Sequence, residues 1–306
     1  MTSFLISTFE QGFIFAIVAL GVYITYKILD FPDLSVDATF PLGASVTALC
    51  LTNGLNPFVA CVLAFVAGML AGSITGFLHV KLKITNLLSG ILVMIGFYSI
   101  NLRIMGKSNI PLFNAKTMFS FNIETVVIVG IFAVLVKILL DLFLKTKLGF
   151  LLKAVGDNEQ LITSLGVNKN TIKVVGLMIS NGLVALAGSI MAQYQGFSDV
   201  GMGAGTVVIG LAAVILGESI FKNIGFIKGT TMALFGAVLY KLAIGLALRF
   251  GLSPTDLKLV TALIVIVILS TNNFEGKLTS KKQKEAIRTK GGEKLASNTK
   301  SVQSIQ

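Results

Sequence analysis

Three carboxylates fall within eight residues, Asp30, Asp33 and Asp37, with Phe31, Pro32 and Ser35 between them and Phe40 just beyond. That set suits an amino acid: Asp33 or Asp37 would meet the ammonium group, Ser35 adds a hydroxyl, and Phe31 and Phe40 offer faces to a ring. The stretch adjoins an apolar run, where charges are costly and usually line a polar path. A second reading makes it an interfacial loop whose acids cap the next helix. The residues alone leave both open.

A different kind of work is suggested at 154–168, AVGDNEQLITSLGVN, inside a polar stretch that interrupts the apolar spans. After Gly156, Asp157 or Asn158 can cap a helix, with Glu159 in its first turn. Leu161, Ile162 and Leu165 follow at helical spacing, and Gly166 stops the turn. A short amphipathic helix held outside a bilayer is a place where a soluble partner can push; the alternative is an ordinary solvated loop.

Covalent and redox chemistry find little support. No G-x-x-x-x-G-K-[ST] loop is present to cradle nucleotide phosphates, so no ATPase site is expected in this chain. His79 is the only histidine, and Cys50 and Cys61 have neither metal-binding nor redox spacing, so free buried thiols and no metal are expected. No Ser-His-Asp or Cys-His arrangement stands out.

The elements that must position these residues are membrane spans. With 54% hydrophobic and 13% charged residues and a mean hydropathy of +0.87, the chain cannot hide its apolar surface in one soluble core. Its 306 residues allow about eight to ten crossings of about 20 residues each, and helices satisfy their own backbone in lipid. The expected fold is an all-α polytopic membrane protein with nine apolar segments, at 12–29, 40–51, 57–79, 86–104, 123–144, 172–193, 205–221, 227–248 and 257–271. The second is too short to span upright and reads as a broken or re-entrant helix. The transmembrane part is 1–271, with its polar loop near 146–170, and 272–306 is a basic tail expected to be disordered.

Charge orients the bundle. The tail holds eight Lys/Arg against three Glu, a net +5 of the chain's +11, and is expected in the cytoplasm. Counting back places Lys81, Lys83, Lys145, Lys147, Lys153 and Lys169 on the tail's side and the N-terminus outside, with Lys107 and Lys116 against the trend. The basic balance is thereby explained without nucleic acid. Gly68, Gly72 and Gly76 share one face of the third span, which allows close packing within the chain or against a second subunit. Lys241 and Arg103 read as snorkelling side chains, or as contacts for a carboxylate. A faint echo links Phe31-Pro-Asp33-Leu34 with Phe197-Ser-Asp199-Val200, each ahead of a glycine-containing apolar stretch and on opposite faces, as an inverted repeat would produce.

The stretch KLGFLLKAVGDNEQLITSLGVNKNTIKVVGLMISNGLVALAG (147–188) and the glycine-rich GMGAGTVVIGLAAVILG (201–217) resemble permease subunits of the branched-chain amino acid and ribose class of ABC importers. LDFPDLSVDATFPLGASV (29–46) and ITNLLSGILVMIGFYSINLRIMGKSNIPL (84–112) are similar to its tryptophan/tyrosine branch. The resemblance reaches to about residue 271. It implies a transport subunit of the bacterial cytoplasmic membrane that carries an amino acid, aromatic first and branched-chain next. It also implies a cytoplasmic ABC ATPase partner holding ATP and Mg, an extracytoplasmic substrate-binding protein, and a second permease subunit as a homodimer. ATPase coupling then falls to Gly156, Asp157, Asn158, Glu159, Leu161, Leu165 and Gly166. The rivals are an ion-coupled secondary transporter and a noncatalytic membrane scaffold.

Overall fold

The computed structural model describes residues 2–120, 123–221, 224, 227–249, 259, 261–263, 265–267 and 270. The chain divides after Leu257 into two units. In the second, the described positions are helical; the remainder of the expected ninth span and the tail 272–306 lie outside the described residues.

In the first unit the helices are α1 (Thr2–Tyr23), α2 (Val36–Thr52), α3 (Pro57–Val80), α4 (Asn86–Met105), α5 (Thr125–Phe143), α6 (Lys147–Asp157), α7 (Glu159–Ser164), α8 (Lys169–Gln195), α9 (Thr206–Phe221) and α10 (Gly229–Arg249). Short strands β1 (Asn109–Pro111) and β2 (Phe197–Asp199) pair antiparallel, Asn109 opposite Asp199, and tie the ends of α4 and α8 together. Seven stretches among the described residues are long and apolar enough to cross a membrane, and α2 is a shorter apolar helix beside them.

α8 is the axis of the bundle, with α3, α2 and α1 packed on it, while α1 carries α10, α9 and α5 on its other sides. Lipid tails are as apolar as leucine, so helices associate here by close backbone approach and interhelical hydrogen bonds. The Gly68, Gly72 and Gly76 face is turned onto α8 of the same chain: a Cβ at these positions would meet Asn181 O, Leu177 O and Val174. Where α2 crosses α8, a Cβ on Gly43 would strike the Ala185 carbonyl, and one on Gly188 the Phe40 carbonyl. The two backbones therefore touch.

The second apolar segment is longer than its hydropathy suggests, beginning at Val36 rather than at residue 40. Its first turn contains Asp37 and Thr39, polar residues that find partners inside the protein instead of ending the helix. Pro41 lies inside the helix and has no N–H to give the Asp37 carbonyl. α1 closes in a π-helical turn, Ile24–Ile28, and an irregular link over 29–35 leads into α2. α2 starts beside Asn181, near the middle of α8.

α9 also begins inside the bundle, after a 3₁₀ turn, Val200–Gly203. The two interrupted helices are prefaced alike: Asp33 accepts from the Ser35 N–H (2.9 Å) and Asp199 from the Gly201 N–H (2.8 Å). This is the local form of the echo in the sequence. At the opposite end from the β ribbon, Lys27 pairs with Glu218 at 2.7 Å, and Asp141 accepts from Lys228 at 3.0 Å and Thr230 at 2.5 Å while pairing with Lys137 at 3.0 Å. These contacts bind the ends of α1, α5, α9 and α10 where α6 and α7 lie. Lys241 does not snorkel outward; its ammonium lies 3.7 Å over the Phe15 ring, a cation–π contact.

Candidate functional site

The polar stretch folds as two helices rather than one. Thr146 starts α6 by accepting from the Gly149 N–H (3.3 Å), and Leu152 and Val155 turn into the bundle. Asn158 is extended, ends α6, and its side chain accepts from the Gln160 N–H (3.0 Å) to start α7. Asp157 is thus the exposed last residue of α6, and Asn158 is the cap. Gly166 closes α7 at φ +73°, within the left-handed region. Glu159 is bonded to Lys169 (2.7 Å) and to Lys173, which clamps α7 to the first turns of α8.

Two faces result. Ile162 is buried, whereas Phe150 and Leu165 are each 65% exposed and Leu148 is exposed as well. The Leu161 side chain lies outside the described residues. On the inner side a Cβ at Gly156 would collide with the Ile28 carbonyl oxygen, so α6 lies backbone to backbone on the π turn of α1. The segment leaves Phe150 and Leu165 exposed and is pressed on the transmembrane helices through Gly156.

Hydrogen bonds from the two lysines hold the Glu159 carboxyl down to about 2, against an ordinary 4.5. A depressed carboxyl contributes stability that is present above about pH 4.5 and is lost as pH falls towards 2. The group is 41% exposed, so after solvent screening the contribution is about 1 kcal/mol or less. The protection factor of the α7 amides, observed exchange corrected for its intrinsic fall with pH, should therefore drop between pH 5 and pH 3, by about fivefold or less. In Glu159→Gln that drop in protection should be missing; an identical pH profile of protection in both chains would refute the clamp.

Deeper in the bundle the acidic stretch separates into distinct roles. Asp33 is 2% exposed; one carboxylate oxygen accepts from the Ser35 N–H and Oγ (2.6 Å), the other from Asn181 Nδ2 (2.8 Å). Thr39 Oγ1 donates to Asn181 Oδ1 at 2.9 Å, closing a buried network between the 29–35 link, α2 and α8. Phe31 packs edge-on to His79, whose Nδ1 is 2.9 Å from the Ile84 carbonyl, and Phe40 stacks with Phe15. Phe31, Asp33, Ser35 and Phe40 are thus enclosed by protein, and Asp30 is exposed at φ +50°.

Asp37 differs. Its carboxylate accepts from the Gly205 and Val207 N–H groups at 3.0 and 2.7 Å, capping α9 from α2. It also lines a cavity of about 510 Å³ between α2, α4 and the turn ahead of α9, with Pro41, Met94, Tyr98 and Asn101. Asn101 and Asn181 were not singled out from the sequence. The signal was there: a lone asparagine within an apolar span needs a polar partner.

A family model described as branched-chain amino acid transport system / permease component matches residues 4–270. The chain belongs to that family. It is the permease subunit of an ATP-binding-cassette transport system and a multi-pass membrane protein. A tyrosine transport system permease protein of Clostridioides difficile (strain R20291) is 56% identical over 270 residues, 88% of this permease and 92% of that protein. Uncharacterized protein RP368 of Rickettsia prowazekii (strain Madrid E) is 35% identical, covering 87% and 97%. The autoinducer 2 import system permease protein LsrC of Photorhabdus luminescens is 29% identical, covering 76% and 74%. The permease thus combines exposed apolar side chains at Phe150 and Leu165 with a cavity at the level of the interrupted helices.

Proposed function

We propose that this permease carries an aromatic amino acid, tyrosine first, into the cell, driven by ATP hydrolysed with Mg on a partner ATPase that docks on α6 and α7. The observation that carries the reading is the double contact of that segment: Phe150 and Leu165 face outward while Gly156 rests on the Ile28 carbonyl. The substrate class is supported by the 56% identical relative named for tyrosine transport. The chain hydrolyses nothing itself. Two permease subunits enclose the path, a binding protein delivers substrate at the β-ribbon end, the C-terminus is cytoplasmic and the N-terminus lies outside.

The mechanical route is short. Closure of the ATPase pair displaces α6 and α7; the Glu159 clamp passes this to α8, and the Gly156 contact passes it to the π turn. From that turn the 29–35 link leads to Asp33 and Asn181, then through α2 to Asp37 and the start of α9. π turns inside helices are frequent at functional sites, and one here is a place where α1 can yield.

Docking is tested with Leu165→Asp and Phe150→Asp, exposed positions where a charge leaves the fold intact. Each is expected to cut co-purification of the ATPase at least tenfold, by about 1.4 kcal/mol or more. Tyrosine uptake by vesicles containing the complex should fall in parallel. Undiminished recruitment in both variants would remove the docking role, and uptake by the parent chain without any ATPase would remove the ATP-driven reading.

A further inference from the structure

Three buried side-chain atoms lack a hydrogen-bond partner among the described residues: Asn101 Oδ1, Gln195 Oε1 and Tyr240 Oη. Asn101 alone of these lines the cavity that contains Asp37. It is fully buried, and its orientation is settled because Nδ2 donates to the Ala38 carbonyl at 3.1 Å. The oxygen is therefore the free end. A buried acceptor left unmade costs more than a typical hydrogen bond gains, so it persists where something else supplies a donor.

The second group is the Asp37 carboxylate. Its oxygens face the Gly205, Thr206 and Val207 N–H groups at the start of α9, and of about four acceptor positions one stays open. Among the described residues no basic side chain lines the cavity, and the helix terminus offsets only about half of the negative charge. The rest of the wall is apolar and aromatic, with Met94, Tyr98 and Pro41. A volume of about 510 Å³ lies in the range of small-molecule sites.

We infer that this cavity binds the primary ammonium group of an aromatic amino acid, held by Asn101 Oδ1 and the Asp37 carboxylate, with its ring between Met94 and Tyr98. The inference rests on the import reading and gives it a substrate contact. The ammonium supplies the donor that Asn101 lacks and the charge that Asp37 lacks. Sulfur and ring faces accept the aromatic body. Nothing in the site selects a carboxylate, so an amine without one should bind as well.

The test needs neither ATP nor uptake, so it fails or succeeds independently of the import reading. Ile95→Cys puts a thiol on the exposed rim of the cavity, and the native Cys50 and Cys61 are buried. In the full-length chain in lipid nanodiscs, millimolar tyramine should slow modification of the introduced thiol by a maleimide at least threefold, and 3-phenylpropionate should not. With Asn101→Leu added, the tyramine concentration needed should rise about tenfold, while modification without ligand stays unchanged; loss of the bond to the Ala38 carbonyl lowers the unfolding temperature slightly but leaves the chain folded at the assay temperature. Equal protection by 3-phenylpropionate overturns the proposal and needs no second variant. Undiminished protection in the folded Asn101→Leu chain overturns it as well.

Discussion

Gly156→Val should lower ATP-coupled uptake more than tenfold while ATPase recruitment changes less than twofold. The added Cβ would fall on the Ile28 carbonyl oxygen and near the Ile28 carbonyl carbon at 2.8 Å. Both are backbone atoms, so no side-chain rotation relieves the collision. Either α6 lifts from α1 or the π turn rearranges, and interdigitated interiors transmit such strain instead of absorbing it. Phe150 and Leu165 stay exposed, so the residues proposed for docking are untouched. Gly166→Ala is the control: its φ of +73° makes a side chain strained by about 1 kcal/mol, yet no neighbour lies within reach. It should disturb α7 locally and leave most uptake. Parallel uptake and co-purification measurements decide the matter. Normal uptake in Gly156→Val would show that the α6 contact with α1 carries no movement.

Local structure is legible in this sequence, and tertiary contacts are not. Gly-Asp-Asn-Glu marks the start of α7 because a cap is made within three residues, and the Asn158 bond to the Gln160 N–H is that cap. α6 escaped notice because Gly149 and Gly156, poor helix formers, lie inside it and its stability comes from burying Leu152 and Val155. The start of α2 was placed late for a related reason: Asp37 and Thr39 look like interface residues until α9 and Asn181 supply their partners. Glycine spacing in α3 identified a face but not what covers it, since four-residue intervals carry no information about the neighbour. Acid residues at 30–37 were grouped by proximity along the chain. The interrupted helix separates them, sending Asp33 into a closed network and Asp37 to a cavity wall.

That separation makes Asp33 the most consequential single side chain for stability. Asp33→Ala removes the acceptor shared by the Ser35 N–H, Ser35 Oγ and Asn181 Nδ2, none of which can reach water. Interhelical hydrogen bonds in membranes average about 0.6 kcal/mol, because the unfolded chain finds other partners. Here three donors converge on one charged acceptor, and hydrogen bonds to charged groups are worth about 1.5–3 kcal/mol. A loss of about 2–4 kcal/mol is expected, seen as a lower unfolding temperature in detergent. Asp33→Asn should be milder, about 1 kcal/mol, because its oxygen still accepts from Ser35. Asn181 can then turn its amide towards Thr39 Oγ1, which is able to accept as well as donate, but gives up its own bond to the Leu177 carbonyl (3.1 Å) in doing so, which is why the milder variant still loses stability. The order Asp33→Ala well below Asp33→Asn, with uptake retained in the latter, separates a structural acid from one that meets substrate. Abolished uptake in a stable Asp33→Asn chain would return Asp33 to the transport path and reopen the assignment of the cavity.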